Sequence, residues 1–269
     1  MRLSCQESLL PGRDFAEKLH HAEEYGFDAV ELNGAALEDA GARAERKRAL
    51  AGSPVRASSI CGGVYARFID IDPAERARAR ESMRRQLAYA AELGAFGPIF
   101  VPIFAAHDRM PDLQPFKGRW ELNRALCVEM LRQIDADARE VGTIALLEPL
   151  NRYEASFLNR LAQAKAMLAE LSAPHILILA DFFHMHIEEA NIPQAILDAG
   201  PLIGHTHLAD STRLEPGSGG TDFVAGFRAL RQVGFSGAMA FECGLSGPAA
   251  EALPRSVQYL RHCFAEAEE

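Results

Sequence analysis

The segment TIALLEPLNRYE, residues 143–154, joins an apolar strand directly to two carboxylates. The run TIALL has the composition of a buried strand, and Glu148 follows it at once. Pro149 then ends the strand, because proline has no N–H to donate to a neighbouring strand. A buried carboxylate is costly unless a partner compensates its charge. The segment therefore predicts a buried strand whose end brings Glu148 to a compensating partner.

A short apolar run followed by a longer amphipathic run recurs along the whole chain. Asp72 precedes one helical run as an N-cap, and Gly94 and Gly142 end helical runs. Strands that alternate with helices predict parallel pairing through right-handed crossovers. The eight strand candidates are RLSCQ (2–6), AVELN (29–33), VRASSI (55–60), PIFVPIF (98–104), TIALLE (143–148), HILILAD (175–181), IGHTHLAD (203–210) and AMAFEC (238–243).

The number of strand–helix units selects the fold class. Eight units in about 250 residues are typical of a (β/α)8 barrel. We therefore predict an α/β fold, a single (β/α)8 TIM-barrel domain over residues 1–269. A doubly wound open sheet is the alternative, but it is disfavoured because no G-x-G-x-x-G follows the first strand. The longest irregular region, residues 105–120, follows the fourth strand and is a candidate lid.

The composition limits the class of protein and its partners. The 28 Lys and Arg residues against 37 Asp and Glu residues give a net charge of −9, which argues against a nucleic-acid-binding protein. The five cysteines are scattered without a CxxC pair and predict reduced thiols in a cytoplasmic protein. The N-terminus lacks the apolar region of a signal peptide, and no apolar run has the length of a membrane span. We expect a cytoplasmic enzyme with no nucleic-acid or membrane partner.

Four successive predicted strands each deliver a metal-ligating residue type at or near their carboxyl end: Glu148, Asp181, one of the pair His205 and His207, and Glu242. In a TIM barrel these ends meet at one mouth. Alone, each residue has an ordinary explanation such as a salt bridge, a helix cap or a core histidine. Together, three carboxylates would repel one another unless a cation joins them. Oxygen and imidazole ligands suit Mn²⁺, Mg²⁺ or Co²⁺, with Zn²⁺ as a further candidate. His205 and His207 lie on the same face of their strand, so one could be the ligand and the other could support it.

The chain resembles the xylose-isomerase-like barrels, the sugar isomerase/epimerase superfamily, over essentially its whole length. Within that group it is most similar to the ketose 3-epimerases of the tagatose/psicose type, with the hydroxypyruvate isomerases as close relatives. The resemblance rests on YGFDAVEL (25–32), ELGA (92–95), LEPLNRYE (147–154), DFFHMHIEEANI (181–192), GHTHLADSTRLEPGSGGTDF (204–223) and FEC (241–243).

The resemblance implies roles for individual residues. The implied ligands of one divalent metal ion are Glu148, Asp181, His207 and Glu242. Glu148 and Glu242 are also the implied acid/base pair, and Glu154, His184 and Arg213 match substrate-contacting positions. The implied substrate is a small carbohydrate or hydroxy-carbonyl compound, and the superfamily suggests a homodimer or homotetramer. A salt bridge to Glu215 is the structural alternative for Arg213.

The chemistry can also be argued from the residues. Moving hydrogen on a carbon next to a carbonyl needs a base, and it needs a Lewis acid for the enediolate. Two glutamates on different strands can remove and return the proton, which predicts a metal-dependent isomerase or epimerase. Cys243 and Gly244 replace the proline and aromatic residue of the ketose 3-epimerases, so hydroxypyruvate isomerase and dehydratase activities stay as alternatives.

Two other classes are disfavoured. An endonuclease IV-like nuclease needs additional histidines where this chain has Asn33 and Cys61. A non-catalytic sugar-binding barrel would be expected to have lost a ligand or a catalytic glutamate, and here all of these residues are present.

Overall fold

Eight parallel strands form one sheet in the computed structural model, which describes residues 1–105, 107 and 109–268. The sheet order is β3-β2-β1-β8-β7-β6-β5-β4. The two edge strands also meet, because Ile60 donates its N–H to Gly97 O at 3.0 Å. The strands are Leu3–Gln6 (β1), Ala29–Asn33 (β2), Arg56–Cys61 (β3), Ile99–Phe100 (β4), Ala145–Leu147 (β5), Ile176–Asp181 (β6), Ile203–Leu208 (β7) and Met239–Phe241 (β8).

Helices follow the strands and surround the sheet. They are Phe15–Glu24 (α1), Ala40–Ala51 (α2), Pro73–Leu93 (α3), Arg119–Val141 (α4), Leu161–Leu171 (α5), Phe182–Glu188 (α6), Ile192–Ala199 (α7), Phe223–Gln232 (α8) and Ala249–Glu266 (α9). The predicted cap is present, since Asp72 accepts a hydrogen bond from Ala74 N at the start of α3. Gly94 and Gly142 end α3 and α4 in the left-handed conformation that glycine adopts without strain. The predicted (β/α)8 TIM barrel is confirmed.

The fourth strand is shorter than its sequence predicted. The apolar run 98–104 suggested a strand throughout, but only Ile99–Phe100 is one. Pro98 and Pro102 flank this pair, and proline cannot donate to a strand ladder. The chain after β4 instead pairs with the loop after β3, where Phe104 N donates to Ala66 O at 3.2 Å. The candidate lid at 105–120 includes Ala106 and Asp108, which lie outside the described residues, so the lid stays a prediction.

One side of the barrel interior is polar. Ser4, Ser58 and Ser59 lie there beside Glu31 and are buried, with the Oγ atoms of Ser4 and Ser58 2.7 Å apart. On the other side, β4, β5 and β6 contribute a small apolar cluster of Ile99, Leu146 and Leu179. No helix of the described chain combines the length and apolarity that crossing a membrane requires.

Candidate active site

The four predicted ligand residues meet at the carboxyl ends of β5 to β8. The Nδ1 atom of His207 lies 3.6 Å from Glu148 Oε1, 3.6 Å from Asp181 Oδ2 and 3.1 Å from Glu242 Oε2. Donor atoms that each sit about 2.1 Å from one ion are separated by about 3.0–3.4 Å at adjacent coordination positions. The four side chains therefore have nearly the spacing of a ligand set.

The hydrogen bonding of these atoms supports the same interpretation. Glu148 Oε1, Asp181 Oδ2 and His207 Nδ1 are buried and have no hydrogen-bond partner in the described chain. An unsatisfied buried polar atom costs about 1–3 kcal/mol. Three of them facing one point is an arrangement that a divalent cation would satisfy. The residues present therefore fit a metal ion.

Glu31 on β2 fixes the orientation of His207. Both carboxylate oxygens of Glu31 lie 3.1 Å from His207 Nε2, and Glu31 is only 1% exposed. The carboxylate accepts the Nε2 proton and holds Nδ1 directed at the three other carboxylates. Burial alone would lower the pKa of His207, but Glu31 and Glu242 outweigh it and raise that pKa well above its ordinary value, so a bound metal ion would have to displace the Nδ1 proton. His205 Nε2 also lies 3.1 Å from Glu31, so His205 supports Glu31 and does not face the cluster. Gln6 joins the two groups by donating to Glu31 Oε1 and Glu242 Oε1, both at 3.1 Å.

Sequence reasoning missed Glu31 and Gln6, because it considered only strand ends as sources of active-site residues. A signal was available in AVELN, where one acid interrupts an otherwise apolar strand. Such an acid must have a buried partner.

His184 is a second imidazole near the carboxylates. Its Nε2 lies 3.7 Å from both Glu148 Oε1 and Asp181 Oδ2, and geometrically it could join Glu148, Asp181 and Glu242 in a ligand set. Its Nδ1, however, is approached by the backbone N–H of Asn151 at 3.3 Å and by the side-chain amide at 2.8 Å. Nδ1 is therefore the acceptor, which in a neutral imidazole places the proton on Nε2; Arg213 NH1 also lies 3.4 Å from Nε2. A protonated nitrogen is a hydrogen-bond donor, which favours His207 over His184 as a ligand.

Arg213 lies in the loop after β7 and reaches the same cluster. Its NH2 group lies 3.2 Å from Glu242 Oε2, and its guanidinium stacks 4.5 Å above the ring of Phe183. The alternative of a salt bridge to Glu215 is wrong, because the Glu215 carboxylate binds Ser246 and Arg255.

The remaining residues of the segment 151–154 have distinct places. Glu154 accepts a hydrogen bond from Asn151 Nδ2 at 2.8 Å and faces the cavity described below. Arg152 is directed away from the cluster and forms a two-pronged ion pair with the buried Glu188, at 2.8 and 2.9 Å. Asn151 thus serves the site, and Arg152 fixes the loop.

The local electrostatics separate the two glutamates. Burial raises the pKa of Glu148 above its ordinary value. Burial acts in the same direction on Glu242, but the nearby His207 outweighs it and lowers the pKa of Glu242. Burial is likewise outweighed at Asp181, chiefly by His184 and His207, so its pKa is lowered.

A cavity of about 540 Å³ opens beside the cluster. Of the four clustered residues, Glu148 and Glu242 line this cavity, whereas Asp181 and His207 do not. His184, Arg213 and Glu154 line it as well. The structure therefore brings all seven sequence-predicted site residues together, with two of them behind the cavity wall.

The amino-acid sequence matches a known protein family that has this fold. The model of the xylose isomerase-like TIM barrel family matches residues 19–263. The chain belongs to this family.

Particular relatives are similar over nearly the whole chain. A 3-dehydro-D-guloside 4-epimerase of Escherichia coli is 31% identical over 98% of this chain and 100% of its own length. A ketose 3-epimerase of Arthrobacter globiformis is 31% identical over 100% of this chain and 92% of its own. The crystal structure of 3-keto-D-glucoside 4-epimerase from E. coli, in its apo form, superposes with a TM-score of 0.88 and 32% identity, covering 98% of this chain and 100% of the other. Sugar epimerases are isomerases, so the prediction of an enzyme of the isomerase class is confirmed.

Proposed function

We propose that this protein is a divalent-metal-dependent epimerase of keto-sugars in which Glu148 and Glu242 transfer the proton. The observation that carries the proposal is the convergence of Glu148 Oε1, Asp181 Oδ2 and Glu242 Oε2 on Nδ1 of His207. Relatives that epimerise a ketose or a keto-glycoside support the substrate class.

The residues that would hold the metal ion are Glu148, Asp181, His207 and Glu242. A divalent cation at this position would supply Lewis-acid stabilisation of negative charge on a carbonyl oxygen. Mn²⁺, Co²⁺ and Mg²⁺ suit a set of three carboxylates and one imidazole, and Zn²⁺ tolerates it. Glu31 and Gln6 would keep the donor atoms in place.

Glu148 and Glu242 are the two cluster residues that face the cavity, so they are the pair that can touch a substrate. They follow β5 and β8, which are separated by two strands, and they can reach a substrate carbon from different sides. One carboxylate removes the proton next to the carbonyl, and the other protonates the same carbon from the opposite side, which inverts it. His184 Nε2–H and Arg213 are donors that can hold substrate oxygens, and Glu154 can accept from a hydroxyl.

The test uses chelator-treated protein reloaded with Mn²⁺, Co²⁺, Mg²⁺ or Zn²⁺ and incubated in D₂O. Free ketoses and 3-dehydro-glycosides are supplied, and NMR follows the configuration and the deuterium content of each carbon. We expect metal-dependent inversion of one carbon, with deuterium entering at that carbon. The matched variants are Glu148→Gln and Glu129→Gln, since Glu129 is an exposed carboxylate on α4. Only the first should lose activity.

Two results would contradict the proposal. Activity that survives complete removal of metal would exclude the metal centre. Conversion without entry of deuterium, together with an active Glu148→Gln variant, would exclude proton transfer by the two glutamates.

A further inference from the structure

One wall of the active-site cavity is apolar and has no role in the proton transfer. The loop after β3 contributes Val64 and Tyr65, and the chain after β4 contributes Val101 and Phe104. We call these four residues the apolar wall. It lies on the β3–β4 side of the mouth, across from Arg213 in the loop after β7. Phe104 is 59% exposed although it lines the cavity.

The backbone of the apolar wall is held by hydrogen bonds. Phe68 N donates to Pro102 O at 3.0 Å, and Phe104 N donates to Ala66 O at 3.2 Å, so the two loops pair with each other. Ser156 N, in the chain that follows Glu154, donates to Ala105 O at 2.8 Å and ties the wall to the loop after β5. The wall is thus preformed at a fixed distance from the carboxylate cluster.

The side chain of Tyr65 is fixed as well. Its hydroxyl is hydrogen-bonded to Glu75, and the guanidinium of Arg78 stacks 4.5 Å from the ring centre. The backbone N–H of Tyr65 donates to Ser82 Oγ at 2.8 Å. A ring held on its edge and on one face presents a stable apolar surface to a ligand.

The charges around the cavity argue against an anionic substrate. Glu148, Glu154, Asp181 and Glu242 would face one divalent cation and the guanidinium of Arg213, which leaves an excess of one negative charge. The other cation among the described lining residues is Arg67. It is paired with the buried Asp70 at 3.2 Å, so it contributes no net charge. A phosphate ester would find no free cation here.

The cavity is larger than a sugar ring alone requires. Its volume of about 540 Å³ lies in the range of about 300–1,000 Å³ that is usual for drug-sized ligands. A sugar ring held by Arg213, His184 and the metal ligands would occupy only the polar end. Exposed aromatic surface at the other end favours an apolar group that can stack on it.

We infer that the natural substrate is an uncharged keto-sugar glycoside whose apolar, preferably aromatic, aglycone packs on the apolar wall, with Phe104 as the residue that selects it. This inference rests on the proposed epimerase function. Beyond that function, it specifies that the substrate carries an apolar aglycone and no phosphate, and that Phe104 determines the preference for the aglycone.

The test compares methyl and phenyl 3-dehydro-β-D-glucosides with the metal-loaded protein, by turnover and by calorimetric binding. We expect the phenyl glycoside to have a kcat/KM at least about tenfold higher, which corresponds to about 1.4 kcal/mol, and a correspondingly lower Kd. Phe104→Ala should remove most of this preference, because kcat/KM should fall further for the phenyl glycoside than for the methyl glycoside. Phe96→Ala is the matched control, because Phe96 is 43% exposed but lies at the opposite end of the barrel. A 6-phosphate ester of the methyl glycoside should bind at least about tenfold more weakly.

The outcomes separate this inference from the function on which it rests. Equal kcat/KM and equal Kd for the two glycosides in the wild-type protein would overturn the inference, as would an equal loss for both in Phe104→Ala. If neither glycoside reacts, the binding comparison still decides whether the aglycone site exists. Turnover of free ketoses alone, with no preference in binding, would retain the epimerase and exclude the aglycone site.

Discussion

Asn151 donates two hydrogen bonds to a single nitrogen of His184, one from its backbone and one from its side chain. A backbone N–H cannot accept, so Nδ1 of His184 is the acceptor whichever way the amide is turned. The proton of the neutral imidazole is then on Nε2, directed at the carboxylate cluster. A small polar residue in the loop after β5 thereby sets the chemistry of a histidine at the start of α6.

This assignment can be tested by NMR of ¹⁵N-histidine-labelled protein. We expect His184 to show an unprotonated Nδ1 and a protonated Nε2. Asn151→Asp places a carboxylate beside Nδ1, which favours protonation of that nitrogen, so the Nδ1 signal should move to the protonated range. We expect kcat to fall at least about tenfold, since general acid–base and hydrogen-bonding groups typically contribute factors of about 10²–10⁴. A wild-type spectrum with the proton on Nδ1 would refute the assignment.

Replacement of either cavity-facing glutamate should remove catalysis. In Glu148→Gln and Glu242→Gln an amide oxygen can still ligate, but the side chain no longer accepts a proton. We expect kcat to fall by about 10²–10⁴. Metal content measured by elemental analysis should stay near one ion in each protein. Glu170→Gln, on the exposed end of α5, is a control that should keep full activity. Full loss of metal in both variants would show that they report ligation and not proton transfer.

Glu31→Gln should weaken the binding of metal without removing a ligand. The glutamine amide has only one accepting oxygen, so it holds the Nε2–H of His207 less firmly than the carboxylate does. The Nδ1 atom of His207 is then less well directed at the metal position. We expect the Kd for Mn²⁺ to rise about 10–100-fold. Titration followed by electron paramagnetic resonance measures it, and Glu38→Gln, a carboxylate that is 39% exposed, is the control. An unchanged Kd would show that Glu31 has no part in holding His207.

Metal binding should also be visible as stability. An ion that binds only the folded state at 100 times its Kd adds about 2.7 kcal/mol, so Mn²⁺ should raise Tm by several degrees. Asp181→Asn is an informative variant, because Asp181 Oδ1 caps α6 by accepting from Phe183 N and His184 N. Asparagine can keep this cap while it removes the charge that faces the ion. The variant should fold and should lose most of the rise in Tm; an equal rise in both proteins would place the ion elsewhere.

The Arg152–Glu188 pair gives a pH-dependent contribution to stability. Burial raises the pKa of Glu188, but the hydrogen bonds and charge of Arg152 outweigh it, so the pKa lies below its ordinary value. A lowered folded-state pKa gives stability that is present above the unfolded value of about 4.3 and is lost as the pH falls through the folded value. Arg152→Ala leaves a buried carboxylate with fewer partners, and we expect a loss of about 1–3 kcal/mol at pH 7.

That loss should shrink below about pH 4, where Glu188 becomes protonated in the unfolded state. Urea unfolding of both proteins between pH 3 and 7 measures it. The control is Arg132→Ala, which removes an exposed pair with Glu129 and should cost less than about 1 kcal/mol. A loss for Arg152→Ala that is independent of pH would mean that Arg152 acts through packing.

Much of the architecture was predictable, because alternating apolar and amphipathic runs specify strand–helix units directly. The end of β4 was not, since PIFVPIF has the composition of a strand and only the two prolines indicate the break. The cluster followed from the carboxyl ends of parallel strands meeting at one mouth. The roles of Glu31, Gln6 and Asn151 depend on which atom each side chain reaches across the barrel, and no spacing along the chain encodes that distance.

The apolar wall and the carboxylate cluster come from different halves of the barrel. Every proposed ligand follows or lies in β5 to β8, whereas the wall is carried by the paired loops after β3 and β4. Mutations that change which molecule is recognised can therefore accumulate in the two loops while the carboxylate cluster stays unchanged. For laboratory evolution, a library restricted to Val64, Tyr65, Val101 and Phe104 should redirect selectivity with little loss of folded or metal-loaded protein, because the buried Ile103 is kept.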